Sequence, residues 1–265
     1  MDALQRKYAA LQEILRSYGS VAVAFSGGVD STFLLTAAKQ TLGDHVLAIS
    51  ADSAFVPRRE IAEASEYCSS RGIRHIVFWA DVLEHPEICS NPINRCYICK
   101  QMIFRHIQQI AADHGIFSIA EGTNLDDLDD YRPGLQALKE FEIHSPLCEV
   151  SLTKREIRAL SSAMNLPTSD KPAYACLASR IPYGDVITAD KLRMAECAEQ
   201  FLMQLGFRQI RVRIHEDIAR IEVLPFDFEQ ILRKRTEIYE EFRAIGFRYT
   251  ALDLLGYRTG SLNEI

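Results

Sequence analysis

The apolar run Val21-Ala22-Val23-Ala24-Phe25 passes directly into Ser26-Gly27-Gly28-Val29-Asp30-Ser31, and a helical pattern follows over residues 32–41. A strand, a glycine turn and a helix start in that order form an anion site from the main chain alone. A helix N-terminus leaves backbone N–H groups unpaired, and the macrodipole adds partial positive charge there. Gly27 and Gly28 lack Cβ atoms, so phosphate oxygens can approach the backbone closely. Ser26 and Ser31 add hydroxyl donors, whereas Asp30 would repel a bare phosphate and reaches one through Mg²⁺ or water. No Gly-Lys-Ser/Thr follows, so this is not a Walker A loop, and it is not the dinucleotide G-x-G-x-x-G. The plain alternative is a tight strand–helix turn capped by serine.

Short apolar runs alternate with helical patterns through the first 165 residues. Strands are expected over 21–25, 46–50, 75–79 and 117–121, and helices over 32–41, 57–70, 97–114 and 154–164, the last opening with a Thr153/Glu156 capping box. Leu4, Tyr8, Leu11 and Leu15 mark an amphipathic N-terminal helix without a signal-peptide pattern. This alternation predicts an α/β fold with a parallel sheet, in which ligands sit beyond the carboxyl ends of the strands. The glycine turn lies at one such end. Gly122-Thr123-Asn124 and the acidic run through Asp130 lie at another, either as a solvated turn or as a second nucleotide and metal contact.

The domain reading is a nucleotide-binding domain over 1–168, a proline-punctuated hinge over 169–188, and a small α/β domain over 189–265. In the last, a helix over 189–205, a hairpin over 208–214 and 218–223, a helix over 226–244 and a strand over 247–252 are expected. Net charge is −6 with no block of Lys or Arg, which weighs against nucleic acid, since such binders usually carry a basic stripe. No apolar run approaches the roughly 18 residues a membrane span needs. A cytoplasmic protein is expected. The alternating Arg211, Arg213 and Arg220 suit one small phosphorylated ligand.

Seven cysteines in a reducing compartment do not suggest a disulfide framework. Cys96 and Cys99 fall three apart at a helix start, where the dipole lowers a thiol pKa, and Cys176 lies in the hinge. Two readings stay open. The pair is a coincidence of a helix start with Cys176 a small buried hydrophobe, or the three ligate a [4Fe–4S] cluster and leave one iron open. Structural zinc would want a fourth ligand. Cys68 falls on an apolar stripe and reads as core.

The turn at 26–31 resembles the PP-loop of the N-type ATP pyrophosphatases, which hold pyrophosphate as the leaving group while an acceptor is adenylylated. Together with Arg95-Cys96-Tyr97-Ile98-Cys99-Lys100, Asp130-Tyr131-Arg132-Pro133-Gly134-Leu135, Ser179-Arg180-Ile181-Pro182-Tyr183-Gly184, Arg211-Val212-Arg213 and Asp217-Ile218-Ala219-Arg220-Ile221-Glu222, it resembles the LarE branch of ATP-dependent sulfur transferases. The resemblance implies adenylylation of the carboxylates of pyridinium-3,5-biscarboxylic acid mononucleotide, and replacement of AMP by sulfur for the nickel-pincer nucleotide of lactate racemase. It implies that Ser26, Gly27, Gly28, Asp30 and Ser31 take the ATP phosphates and Mg²⁺, with Gly122 and Thr123 beside them. Lys100, Ser179, Arg180, Arg211 and Arg213 would hold the substrate phosphate and charged intermediates, and Glu199 is a further metal or substrate candidate.

Some members of that branch sacrifice a single cysteine, whose place aligns with Ala175 here. The chain thus resembles the cluster-bearing type, in which Cys96, Cys99 and Cys176 hold [4Fe–4S] and sulfide on the open iron is transferred. An alignment shifted by one makes Cys176 the consumed donor. The resemblance also implies a homo-oligomer fed by sulfide or a sulfur donor. Two other functions remain open: another PP-loop ligase or tRNA thiolase, and a nucleotide- or redox-sensing module without turnover.

Overall fold

The computed structural model describes residues 3–128, 134–172, 175–258 and 260–261. In chain order it contains α1 (Ala3–Tyr18), β1 (Val21–Ala24), α2 (Val29–Leu42), β2 (Val46–Asp52), α3 (Arg58–Ser70), β3 (Arg74–Trp79) and the single-turn α4 (Pro86–Cys89). Next come α5 (Arg95–Asp113), β4 (Ile119–Ala120), α6 (Gly134–Glu140), α7 (Pro146–Glu149) and α8 (Lys154–Ala163). The chain ends with α9 (Ala189–Gln204), β5 (Ile210–His215), β6 (Ile218–Val223), α10 (Phe228–Arg233), α11 (Arg235–Ile245) and β7 (Tyr249–Leu252). It divides into two compact units: Met1–Ser53 with Arg58–Ala80 and Asn94–Tyr174, and Ala54–Pro57 with Asp81–Ile93 and Ala175–Ile265. The division falls inside the segment read as a hinge. Residues 54–57 and 81–93, which the sequence gave to the first unit, join the second through Leu177 N–H donating to Phe55 O and Ile187 N–H to Cys89 O.

The first unit is built on a four-stranded parallel sheet of order β3-β2-β1-β4. This is the parallel α/β architecture expected from the sequence. Both faces are covered, as a parallel sheet requires. Val21, Val23, Val46 and Ala48 pack toward α1, α2, α3 and α8, while Ala22, Leu47 and Ile49 pack toward α5 and α6. The chain runs from β1 through α2 to β2 on one side, and β4 pairs with β1 on the other. The strand order therefore reverses between β1 and β4, which is where an open α/β sheet binds its ligand.

The second unit carries a three-stranded sheet, β5 antiparallel to β6 and β6 parallel to β7. Ile210, Val212 and Ile214 on β5, with Ala219, Ile221 and Val223 on β6, point to a core shared with α9 and α11. With a side-chain period of two, Arg211, Arg213, Arg220 and Glu222 take the opposite face.

Local differences from expectation have physical causes. β4 is two residues long because Phe117 is 85% exposed and stands outside the ladder. The helix expected over 226–244 divides at Lys234, whose ψ of 10° breaks the hydrogen-bond ladder. The capping box forms as expected: Thr153 Oγ1 accepts from Glu156 N–H, and the Glu156 carboxylate accepts from Thr153 N–H at 2.9 Å. Thr153→Ala should destabilise the protein by about 1 kcal/mol, read as a lower urea midpoint with an unchanged slope.

Candidate functional site

At the end of β1 the backbone turns sharply through Gly27, at φ +71°. A Cβ there would lie 3.4 Å from Ala64 Cβ and 3.5 Å from Glu60 O, so the first face of α3 closes directly on the turn. Gly28 is the N-cap of α2 and gives it no side-chain cap. Ser26 Oγ and Ser31 Oγ lie 3.0 Å apart across the turn, and Ser31 Oγ also donates to Gly28 O at 3.2 Å. The result is a helix N-terminus rimmed by two hydroxyls.

The loop after β4 meets the same turn. A Cβ on Gly122 would stand 2.9 Å from Ser31 N and 3.2 Å from Asp30 Cβ, a separation that real Cβ atoms do not adopt. Thr123 and Asn124 are buried beside it. Glu121 fixes the loop by accepting from Thr123 N–H and Oγ1, each at 2.9 Å, and from Ser145 Oγ at 2.7 Å. Asp126 accepts from Lys154 N–H at 2.8 Å, tying the loop to α8. Residues 129–133, which carry part of the Asp-Tyr-Arg-Pro-Gly motif, lie outside the described residues, as do 173–174.

Two lysines that sequence reasoning missed converge here. Lys154 Nζ donates to Asp30 Oδ2. Lys171 Nζ donates to Gly27 O at 3.2 Å, to Glu63 Oε2 at 2.7 Å and pairs with Glu60 Oε2 at 2.7 Å. They stand 124 and 144 positions from their partners, so no local pattern could reveal them. Burial raises the Asp30 pKa, with Lys154 opposing and Asp127 adding to the rise. Asp30 Oδ1 is buried without a hydrogen-bond partner among the described residues. A carboxylate with one oxygen unspent is a fitting donor for Mg²⁺. Lys100 belongs to the same unit, stretched under Gly134 at the start of α6.

In the second unit the hinge residues and the arginine strand form one hydrogen-bonded layer. Cys176 precedes a short 3₁₀ turn over Leu177–Arg180. Arg180 is fully buried and reaches back to Ala175 O at 2.7 Å and Cys176 O at 3.1 Å, while Ser179 Oγ donates to Cys176 O at 2.8 Å. Arg180 grips Glu199 with two bonds of 2.8 Å, and Glu199 Oε1 also accepts from Val212 N–H at 3.0 Å. Both Glu199 oxygens are thus engaged by the protein. Arg213 donates to Ser179 O and forks onto Glu222, with both bonds at 3.1 Å. Arg220 joins Glu222 at 3.0 Å and Asp253 at 2.8 Å. Glu222 and Asp253 received no role from the sequence, although Glu222 lies directly opposite Arg211 in the hairpin register.

Among the described residues of this layer, Arg180, Arg211 and Arg213 are buried together with Glu199 and Glu222. Burial disfavours the charged form of Arg180, but Glu199 outweighs it and the pKa ends above its usual value. Burial likewise opposes ionisation of Glu199, and Arg180 overcomes this to leave it below the usual range. Arg211 is shifted the other way, downward, by burial and then by the charge of Arg180.

Among the described residues, no three His, Cys, Asp or Glu side chains form a group able to hold a metal ion, and no helix is long and apolar enough to cross a membrane. None of the seven cysteines is in a disulfide. Cys96 and Cys99 occupy the first turns of α5 in the first unit, and Cys176 belongs to the second. Burial pushes the Cys68 thiol up to about 12, as befits a core residue.

No family model matches the chain. It is 36% identical over its whole length to the pyridinium-3,5-bisthiocarboxylic acid mononucleotide synthase of Lactiplantibacillus plantarum, covering 96% of that protein. The chain belongs to the LarE-like family of ATP-dependent sulfur transferases. Two uncharacterized proteins are similar to this LarE-like enzyme. One, from Synechocystis, is 39% identical over 99% of the chain and 98% of its own length. The other, from Methanocaldococcus jannaschii, is 29% identical over 90% of the chain and 91% of its own.

Two outcomes test this geometry of the LarE-like site. Gly122→Ala should weaken ATP binding about tenfold or more, the scale of a misplaced contact. Calorimetry would read this, and unchanged affinity would detach the loop from the nucleotide. Glu199→Gln should cost about 3–5 kcal/mol at neutral pH by stranding Arg180. Because the folded pKa of Glu199 lies below its unfolded value, its stabilisation is present above the ordinary carboxylate range and fades as pH falls through the lower folded value. The gap between variant and parent in denaturant titrations should therefore close in acid.

Proposed function

We propose that this enzyme uses ATP to activate the carboxylates of pyridinium-3,5-biscarboxylic acid mononucleotide and converts them to thiocarboxylates. The turn at 26–31 takes the β,γ-phosphates. A carboxylate oxygen attacks the α-phosphorus, the P–O bond to pyrophosphate breaks, and an acyl-adenylate forms. A sulfur nucleophile then adds to the acyl carbon, and the C–O bond to AMP breaks. Two rounds give the dithio product.

The observation that carries this reading is the attachment of Cys176 to the arginine layer. Arg180 binds the Cys176 carbonyl and at the same time forks onto Glu199. A sulfur-bearing residue and buried phosphate-type charges thus belong to one hydrogen-bonded assembly. The positive charge of Arg211 and Arg213 suits the phosphate and carboxylates of such a substrate. Full-length similarity to a synthase of the bisthiocarboxylic product supports the same choice.

Mg²⁺ fits Asp30 by its unspent oxygen. For a [4Fe–4S] cluster the support is donor type and sequence spacing: Cys96 and Cys99 stand three apart at the start of α5 and Cys176 would be the third ligand, while the described residues form no metal-holding group. When bound, such a cluster would supply an iron with an open coordination position for exogenous sulfide. The second route consumes Cys176 itself: its Sγ attacks the acyl carbon, and β-elimination leaves thiocarboxylate and dehydroalanine. In this reading the enzyme works in the cytoplasm as a homo-oligomer.

The chain purified anaerobically and given ATP, Mg²⁺, sulfide and substrate should release AMP and pyrophosphate and contain roughly four irons per chain. ADP and phosphate as products would remove the reading. An iron-free chain that performs one turnover and loses the mass of H₂S at Cys176 would select the sacrificial route.

A further inference from the structure

The arginine layer is crossed by a segment that the function above does not use. After β7 the chain folds back over residues 253–258, and Tyr257 N–H donates to Val223 O at 2.8 Å. Gly256 makes the approach possible: at φ +69°, a Cβ would lie 2.5 Å from Val223 O and 3.3 Å from the Phe228 ring. The Tyr257 ring is thereby laid against Arg211, whose Cζ is 5.2 Å from the ring centroid. Further along, Ser261 Oγ meets Arg213 Nη2 at 2.9 Å and the Glu222 carboxylate at 3.4 Å. Asp253, at the root of the segment, holds Arg220 and stands 3.7 Å from Arg258.

We infer that Tyr257 is a specificity-determining residue, which offers its ring face to a cationic heteroaromatic ring whose phosphate and carboxylates are held by Arg211 and Arg213. The inference rests on the arginine layer being the nucleotide site. Arginines alone cannot select a pyridinium, because they attract any phosphorylated carboxylate and repel the ring's positive charge. An aromatic face resolves this conflict, since its quadrupole attracts a cation. Tyr257 lies against Arg211 of this layer, and it keeps part of its surface exposed. Its ring is fixed on Arg211 by the glycine-assisted fold-back, so little rotamer freedom remains to be lost when a ligand stacks.

The test compares nicotinate mononucleotide with orotidine 5′-monophosphate, using the full chain and calorimetry. Both carry a ring carboxylate and a 5′-phosphate, but only the first has a positively charged ring. The parent chain should bind nicotinate mononucleotide more tightly. Tyr257→Leu should weaken that binding roughly tenfold and change orotidylate binding less than twofold, which also reports that the site is still folded. Tyr257→Phe should keep the preference. Equal losses for both nucleotides in Tyr257→Leu, or no loss for either, would overturn the role of Tyr257 while leaving the nucleotide site standing. Failure of the parent chain to bind either would overturn the site itself and this inference with it.

Discussion

The start of α2 is the point on which the first unit converges. Its N-cap is a glycine, no side chain caps it, and the helix is driven deep into the sheet by Phe33, Leu34 and Leu35. A helix N-terminus concentrates backbone donors at one end. The surrounding architecture closes on this turn. The left-handed Gly27 aims the turn, α3 presses against it, and Gly122 brings a second loop to within contact of Ser31. The lysines stand where the sequence shows none: Lys154 on Asp30, and Lys171 on the turn's own carbonyl.

The two units present positive potential by different physics. The first uses main-chain dipoles, which require no desolvated side chain. The second buries guanidinium groups, which is expensive unless each finds a partner. Arg180 is matched by Glu199 and Arg213 by Glu222. Burial, and then the charge of Arg180, lowers the Arg211 pKa. Because Arg180 holds the backbone of Cys176, Glu199 is a positioning residue for the cysteine as well as a counter-ion.

Much of this was legible in the sequence. β1, the glycine turn and α2 announced themselves by an apolar run, two glycines and a helical period. The capping box at Thr153 and Glu156 was readable because its spacing is local. The hairpin was readable too, since Arg211 and Arg213 alternate with apolar residues. What stayed hidden was contact between distant segments. Lys154 and Lys171 look like ordinary surface lysines until the sheet closes, and Tyr257 is one tyrosine among ten. Residues 54–57 and 81–93 showed no composition change to mark that they pack with Phe55's partner Leu177 and with Ile187.

The hairpin that bears the arginines has a consequence for how the chain reaches its native state. Ile210, Val212 and Ile214 face oil on one side of a ribbon whose other side carries Arg211 and Arg213. Slipping β5 by a single residue would drive two guanidiniums into the hydrocarbon and lift three aliphatic side chains out of it. Misaligned pairings are thus penalised on both surfaces at once. The same charges proposed to hold a ligand also proofread the zipper during folding.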